Sequence, residues 1–111
     1  MNCGDIVHLN WTPNAGTEMA KSHYGVVVSC EEYNSLIPRI IIAPITSKPH
    51  KEFAKLRIKV DANRGKISGY ICLDHLRAID PLARKLARTH YQVTPRCIHE
   101  CKEVLRKIFK I

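Results

Sequence analysis

The sequence predicts a mainly β domain with some α structure: a small antiparallel barrel that carries a short helix and a C-terminal helix. At 111 residues the chain can form one compact core and is too short for two. Five short strand-like segments follow one another without helices long enough for parallel crossovers between them. Helical spacing over several turns is found only near the C-terminus. We therefore treat residues 1–111 as a single domain.

The first half of the chain predicts three strands. In GDIVHLNW (4–11), polar and apolar side chains alternate, which is typical of a half-buried strand. TPNAGTEMAKS (12–22) is rich in turn residues and is expected to be a surface loop. GVVVS (25–29) is a β-branched run that suits a central strand, and CEEYNS (30–35) is interpreted as one helical turn. RIIIAPI (39–45) predicts a second buried strand.

The next segment, AKLRIKV (54–60), shows alternation again. One face carries apolar side chains and the other basic ones: Leu56, Ile58 and Val60 against Lys55, Arg57 and Lys59. ANRGKISG (62–69) predicts a turn, and GYICLDHL (69–76) predicts the fifth strand.

Two Pro-containing start signals predict the helices. Asp80-Pro81 combines a capping residue with proline at the first helical position, which predicts a short basic helix over PLARKLAR (81–88). Thr94-Pro95 repeats the signal before RCIHECKEVLRKIFKI (96–111). Apolar side chains at helical spacing form the stripe expected to pack on the barrel: Ile98, Cys101, Leu105 and Ile108.

Charge is distributed unevenly along the chain. Up to Leu36, one lysine opposes four acidic residues, whereas from Ile37 onward 17 Lys and Arg residues oppose six acids. Such a basic segment indicates a polyanionic partner, nucleic acid being the commonest, or an acidic protein. A solvated basic surface would give the same composition.

The cysteines and the apolar runs exclude several classes of protein. Five cysteines without a C-x-x-C pair are a poor disulfide framework and a poor zinc site, so we expect reduced thiols. Cys97, His99 and Cys101 are spaced so that His99 points away from both cysteines on a helix, and we predict no metal or cofactor. No apolar run reaches membrane-spanning length. The N-terminus lacks the features of a signal peptide, which favours a cytoplasmic protein.

The order of the motifs resembles one family. GDIV, G-x-E, VVVS, YN, APITS, LDHLRAID and ARK follow one another ahead of a C-terminal helix, as in the MazF/PemK/Kid toxins of bacterial toxin–antitoxin pairs. The resemblance extends from Gly4 to the last helix. It implies an SH3-like barrel that forms a homodimer and cuts single-stranded RNA at short sequences without a metal. It also implies neutralisation by an antitoxin whose acidic tail covers the RNA groove.

The chemistry of metal-free RNA cleavage defines which side chains to look for. The ribose 2′-hydroxyl attacks the phosphorus, so a base must remove its proton and an acid must protonate the leaving 5′-oxygen. Cations or hydrogen-bond donors must also stabilise the phosphorane. The expected products are a 2′,3′-cyclic phosphate and a 5′-hydroxyl.

Residues that match the family's motifs supply the first candidates. Glu18 fits G-x-E, but His23-Tyr24 occupies the position where the family has Arg-Pro. With an unperturbed pKa of about 6.5, His23 is predicted to act as acid or base, while another cation provides the fixed charge. Arg77 is the first choice for that charge, ahead of Lys21 in the loop. Arg84 is expected to position the short helix.

Further candidates follow the third and fifth strands. Thr46 matches the threonine that the family places beside the scissile phosphate, although it could instead cap the following turn, and Ser47 could share its task. Asp74 matches an aspartate that is a base in some members, with hydrogen bonding to loop amides as the alternative. His75 follows where the family more often has glutamine. Asp74 and His75 can share a groove only if the chain turns there.

The predicted RNA-binding set is completed by aromatic residues. Trp11, Tyr24 and Tyr33 could stack on unpaired bases, and Trp11 could instead cover the end of the barrel. The remaining candidates for RNA contact are side chains already introduced: Lys21, Glu18, Ser47 and His75. His8, His50 and His90 are interpreted as ordinary surface or strand residues. Two other functions stay open, a gyrase-poisoning toxin of the same fold and a catalytically silent relative that binds nucleic acid.

Overall fold

The computed structural model describes residues 1–10, 22–48, 51–63 and 67–111, apart from the side chains of Asn10, Ser22 and His23. The described chain forms these elements in order: β1 (Asp5–Asn10), β2 (Ser22–Val27), α1 (Glu31–Leu36), β3 (Ile40–Thr46), a 3-10 segment (Lys51–Leu56), β4 (Arg57–Lys59), β5 (Tyr70–Cys72), β6 (Arg77–Ile79), β7 (Ala87–Gln92) and α2 (Pro95–Phe109). The helix expected near residues 30–35 is confirmed as α1. Neither described α-helix is long and apolar enough to cross a membrane.

The strands form one antiparallel sheet, as predicted. Its order is β4-β5-β3-β2-β1-β7, and β6 pairs with the first half of β3 on the same edge as β5. Within the described residues the strand ladder does not close into a barrel. Residues just beyond β4 and β7 meet instead through an isolated bridge between Ala62 and Val93.

Strand β3 lies between two apolar clusters, which explains its continuous apolar sequence. On one face, Ala43 and Ile45 pack into the main core with Ile71 and α2. On the other face, Ile40 and Ile42 pack in a second cluster. Both faces of this strand are therefore buried along most of its length.

Helix α2 confirms the prediction from Thr94-Pro95. The hydroxyl of Thr94 accepts a hydrogen bond of 3.2 Å from the backbone N–H of Cys97, and proline occupies the first turn. The buried residues of this helix are Cys97, Cys101 and Val104, with Ile98 and Leu105 packed beside them. Ile108 remains 40% exposed. The buried stripe is thus rotated slightly toward the cysteines from the predicted one.

Three strand boundaries differ from the predictions. Strand β2 begins at Ser22, before the expected start at residue 25. The predicted strand over 54–60 is a 3-10 segment followed by the three residues of β4, and the one over 69–76 is the three-residue β5 followed by a turn. The pattern did not predict β6, because its three residues become a strand only by pairing with the edge of β3.

The predicted helix over 81–88 is wrong. The carboxylate of Asp80 accepts hydrogen bonds from the backbone N–H groups of Leu82 (3.0 Å) and Ala83 (3.3 Å), so a capped turn does form. The turn ends at Lys85, whose φ of 51° lies in the left-handed region. The chain then enters β7, which pairs with the free edge of β1. Strand pairing therefore outweighs the local helix signal.

Candidate active site

Strands β3, β5 and β4 place five chemically useful side chains on one face of the sheet. Tyr70 is the register partner of both Thr46 and Lys59, and Cys72 is the partner of Arg57. Direct partners in antiparallel strands project to the same face, and so do alternate residues of one strand. We call this set the Thr46 face: Thr46, Arg57, Lys59, Tyr70 and Cys72. The intervening residues, Ile45, Ile58 and Ile71, pack into the main core.

The most buried charge of the Thr46 face belongs to Arg57. Its guanidinium forms an ion pair with Oδ1 of Asp74, and the two side chains are 7% and 25% exposed. The guanidinium carbon lies 5.9 Å from the centre of the Phe53 ring. The Nε–H of Arg57 is buried without a hydrogen-bond partner in the described part of the chain. One carboxylate therefore neutralises the charge of the guanidinium, but the guanidinium keeps one N–H donor, on Nε, without a partner among the described residues.

A turn after β5 brings Asp74 and His75 together. The backbone N–H of His75 donates to the carbonyl of Cys72 at 3.3 Å, which reverses the strand's alternation. Nε2 of His75 lies 3.6 Å from Oδ2 of Asp74, and the histidine side chain is 48% exposed. Because the chain turns here, Asp74 and His75 can share a groove. Asp74 joins the buried guanidinium of Arg57 to a solvent-accessible imidazole.

Thr46 is the last residue of β3 and is half-buried. Its Oγ1 accepts a hydrogen bond of 3.3 Å from the backbone N–H of Lys48, so the capping role considered for it is present. A hydroxyl can accept and donate at once, and the cap does not use its proton. Ser47 and Lys48 follow on the surface.

The thiol of Cys72 lies between the two ends of the Thr46 face. Burial raises the pKa of this thiol, the charge of Arg57 lowers it, Asp74 raises it, and a backbone hydrogen bond with Thr46 lowers it. In the sheet, Cys72 is the register partner of Arg57, and Tyr70, two residues before it on β5, is the partner of Thr46. Cys72 is 1% exposed, so it is a packing residue that holds the cluster together.

Two predicted residues do not belong to the set that forms the Thr46 face: Arg77 projects to the same side of the sheet at a different place, and Tyr24 projects to the opposite side. Arg77 is half-buried in β6 and pairs with Ile42, four residues before Thr46, or about 13 Å along the strand. The ring centres of Tyr24 and His8 are 5.0 Å apart. Tyr24 is next to Gly25 in β2, and Gly25 is the register partner of Pro44, so the side chain of Tyr24 projects to the face opposite that of Pro44. Since Pro44 and Thr46 share a face, Tyr24 lies on the other one.

The remaining predicted residues divide into two groups. His23 lies in β2 opposite Leu9, and its side chain is outside the described residues. Trp11, Glu18, Lys21 and His50 also lie outside the described part of the chain. The other group lies in other elements: Arg84 follows β6 in the turn that Asp80 caps, and Tyr33 is half-buried in α1.

Sequence reasoning did not select Arg57, Lys59, Tyr70 or Cys72. For Arg57 and Lys59 the sequence did contain an indication, because the alternation in AKLRIKV places both on the face of the strand opposite the apolar side chains. The sequence did not reveal which strand pairs with β4 or that Phe53 and Asp74 cover Arg57.

The cysteines of α2 behave as expected of core residues. A hydrogen bond from the Cys101 thiol lowers the pKa of Cys97 to about 7, and the same interaction, together with burial, raises the pKa of Cys101. His99 is exposed on the other side of the helix. Among the described residues, no group of three or more His, Cys, Asp or Glu side chains is arranged to hold a metal ion.

Comparisons with known proteins point to one family. Residues 2–109 match the family described as the PemK-like, MazF-like toxin of type II toxin–antitoxin systems. The fold is similar to that of MazF from Deinococcus radiodurans, with a TM-score of 0.84 and 25% identity, covering 100% of this chain and 97% of that one. No curated protein sequence matches the chain.

Two solved complexes are also similar. MazF in a MazE–MazF complex from Deinococcus radiodurans gives a TM-score of 0.80 at 25% identity, covering 100% of this chain and 96% of that one. An endoribonuclease in complex with its cognate antitoxin, from a mycobacterial species, gives a TM-score of 0.75 at 11% identity with the same coverages. The likeness to the mycobacterial protein shows the fold alone.

Proposed function

Because the chain belongs to the PemK-like, MazF-like family of type II toxins, we propose that it is a sequence-specific endoribonuclease that cuts single-stranded RNA without a metal ion. The observation that carries this proposal is the Thr46 face. There, the hydroxyl of Thr46 and the buried guanidinium of Arg57 lie on one face of three neighbouring strands, the carboxylate of Asp74 pairs with the guanidinium, and an exposed imidazole lies beside the carboxylate. These are the groups that phosphodiester cleavage by the 2′-hydroxyl requires.

The proposed reaction is a transesterification followed by product release. A base removes the 2′-hydroxyl proton as the 2′-oxygen bonds to phosphorus, and an acid protonates the 5′-oxygen as its bond to phosphorus breaks. The products are a 2′,3′-cyclic phosphate and a 5′-hydroxyl. The hydroxyl of Thr46 donates to a non-bridging oxygen and stabilises the charge of the phosphorane.

Histidines are the proposed acid and base. Gly25 pairs with Pro44, and extending that antiparallel register by two residues sets position 23 opposite Thr46. This supports His23 as one member of the pair. His75, exposed and in contact with Asp74, is proposed as the other. Asp74 is assigned to positioning, because its two carboxylate oxygens are directed at the guanidinium of Arg57 and the imidazole of His75.

Regulation by an antitoxin is part of the same proposal. Lys59 lies on the Thr46 face and Lys48 follows Thr46, and both are exposed. These lysines would attract the phosphates of RNA and, equally, the carboxylates of an acidic antitoxin segment. We further propose a homodimer in the cytoplasm, since one small domain offers a short groove for several nucleotides.

The test is incubation of the purified protein with end-labelled RNAs of varied sequence in EDTA. We expect cleavage at a short recurrent sequence, and loss of at least about 100-fold in rate in His23→Ala. RNA that remains intact across all sequences would contradict the proposal. Toxicity on expression that persists undiminished in His23→Ala would favour the gyrase-poisoning alternative, and binding of RNA without cleavage would favour the silent relative.

A further inference from the structure

Arg57 is held in a way that a simple surface ion pair does not explain. Its side chain is 7% exposed, its charge is balanced by one carboxylate, and its Nε–H has no partner in the described residues. Burying a charged group and leaving one of its donors unsatisfied is unfavourable. A buried donor without a partner is uncommon in folded proteins, which distinguishes Arg57 from a residue held only by a surface ion pair.

The surroundings of Arg57 fit an anion with several oxygens. A guanidinium is planar, always charged, and presents its donors in a fixed fork that matches phosphate geometry. Asp74 binds one side of that fork, and the Phe53 ring lies 5.9 Å from the guanidinium carbon. Both contacts restrict the side chain to one orientation before any ligand arrives.

The position of Arg57 also suits the hydroxyl of Thr46. Arg57 lies two strands from Thr46, and it is two residues before Lys59, which is level with Thr46 in the sheet. The Cα atoms of Arg57 and Thr46 are therefore about 10 Å apart across the strands and about 7 Å apart along them. The buried residue Cys72 lies on β5, the strand between them, directly beside Arg57. A phosphate above this residue would lie between a hydroxyl donor and a guanidinium.

We propose that Arg57 is the phosphate-binding residue that supplies the fixed positive charge of this site, and that Asp74 and Phe53 are its positioning residues. The inference rests on the proposed ribonuclease function and assigns to β4 the charge that the sequence placed on Arg77. Arg77 pairs with Ile42 on β3 and has a Cα separation from Thr46 similar to that of Arg57, so the choice of Arg57 rests on its burial and its fixed orientation. The position in β2 where the resemblance leads one to expect an arginine is occupied here by His23.

The direct test follows the Nε–H resonance of Arg57 by NMR in the full-length protein labelled with ¹⁵N-arginine. Arg57→Lys identifies the resonance, and inorganic phosphate is then titrated into the wild type. We expect a saturable shift of the Arg57 signal. The control is Arg96, which is exposed on α2 and paired with Glu100 at 3.4 Å, and its signal should change little. An Arg57 signal that stays unchanged, or that moves no more than that of Arg96, would overturn the proposal.

Asp74 is tested through the same signal. In Asp74→Asn the guanidinium loses its carboxylate partner, so the phosphate-induced shift of the Nε–H of Arg57 should require higher phosphate concentrations. Asp74→Glu should restore part of the response. Identical titration curves in the wild type and Asp74→Asn would contradict the positioning role.

Cleavage kinetics provide an independent test. Since the charge acts on the phosphorane, Arg57→Gln should lower kcat by about 100-fold or more with a smaller change in KM, and Arg57→Lys should recover part of that loss. Arg96→Gln removes the same charge far from β4 and should keep the wild-type kcat. Thermal unfolding of each variant verifies that it is folded at the assay temperature.

The outcomes separate this proposal from the function on which it rests. If the wild type cuts no RNA, the ribonuclease proposal is wrong, and the phosphate titration still decides whether Arg57 binds phosphate. If the wild type cuts RNA and folded Arg57→Gln and Arg57→Lys cut it equally fast, the role of Arg57 is wrong and the ribonuclease function stands.

Discussion

The carboxylate of Asp74 joins Arg57 to His75. Its Oδ1 pairs with the buried guanidinium, and its Oδ2 lies 3.6 Å from Nε2 of the half-exposed imidazole. One carboxylate thus orients a permanent cation on the inside and a titratable group on the outside. The pairing depends on the turn after β5, because regular alternation would have sent Asp74 and His75 to opposite faces.

Removing this carboxylate should destabilise the fold. In Asp74→Asn the charge of Arg57 stays buried without a counter-ion, and breaking a fully buried pair costs about 3–5 kcal/mol. Since Asp74 is 25% exposed, we expect a loss of about 2–3 kcal/mol in the free energy of unfolding, measured by urea denaturation. The matched control is Glu100→Gln in the exposed Arg96 pair, expected to cost less than about 1 kcal/mol. Equal losses in the two variants would contradict the burial of the Arg57 pair.

The thiol of Cys72 should make stability fall at alkaline pH. Burial raises its pKa in the folded protein above the ordinary value of 9.0. As pH rises through about 9, the unfolded chain therefore loses this proton while the folded protein keeps it, and the free energy of unfolding decreases. Cys72→Ser should flatten the slope of stability against pH between about pH 8.5 and 10. An unchanged slope in that variant would show that Cys72 does not contribute.

Binding of an acidic antitoxin segment should depend on salt. Lys59 is exposed on the Thr46 face, so an acidic peptide that covers this face should lose affinity as ionic strength screens the attraction. Isothermal titration calorimetry at low and high salt should show a weaker Kd at high salt. Lys59→Glu should weaken binding further, whereas Lys110→Glu, beyond the end of α2, should leave it nearly unchanged. A Kd that does not respond to salt would contradict the electrostatic account.

The cap of α2 allows a test of the local sequence signal. The hydroxyl of Thr94 accepts from the N–H of Cys97 and donates to Asp61 at 2.9 Å. Thr94→Ala should therefore lower the free energy of unfolding by about 1–2 kcal/mol, measured by urea denaturation. Thr94→Ser keeps both hydrogen bonds and should cost much less. Similar losses in the two variants would indicate that the methyl group, not the cap, matters.

The elements that the sequence predicted correctly are those whose signals are local. Strand β3 is a continuous apolar run, and α2 begins at a Thr-Pro cap and keeps helical spacing over several turns. Strands β6 and β7 were missed because their residues become strands through pairing with the edges of β3 and β1. At 81–88 the Asp80 cap is real, but the pairing of β7 ends the turn before a helix can form.

The candidate site was predictable to a similar extent. Motifs made Thr46, Asp74 and His75 candidates, and the structure places Thr46 at the end of β3 and the other two in the turn after β5, the strand that pairs with β3. Arg57 was not selected, since alternation gives the face of a strand and not what covers it. Its burial depends on Phe53 from the preceding segment and on Asp74, 17 residues further along the chain. Long-range contacts of this kind are not encoded in any local pattern.

The most direct test of the central claim is analysis of the RNA ends that the protein produces. At a mapped cleavage site in EDTA, mass spectrometry should find a 2′,3′-cyclic phosphate and a 5′-hydroxyl. Thr46→Val removes the hydroxyl with little change in volume and should slow their formation by about 100-fold, while Thr46→Ser should retain most of the rate. Intact RNA, 5′-phosphate ends, or a wild-type rate in Thr46→Val would contradict the assignment of ribonuclease activity to the Thr46 face.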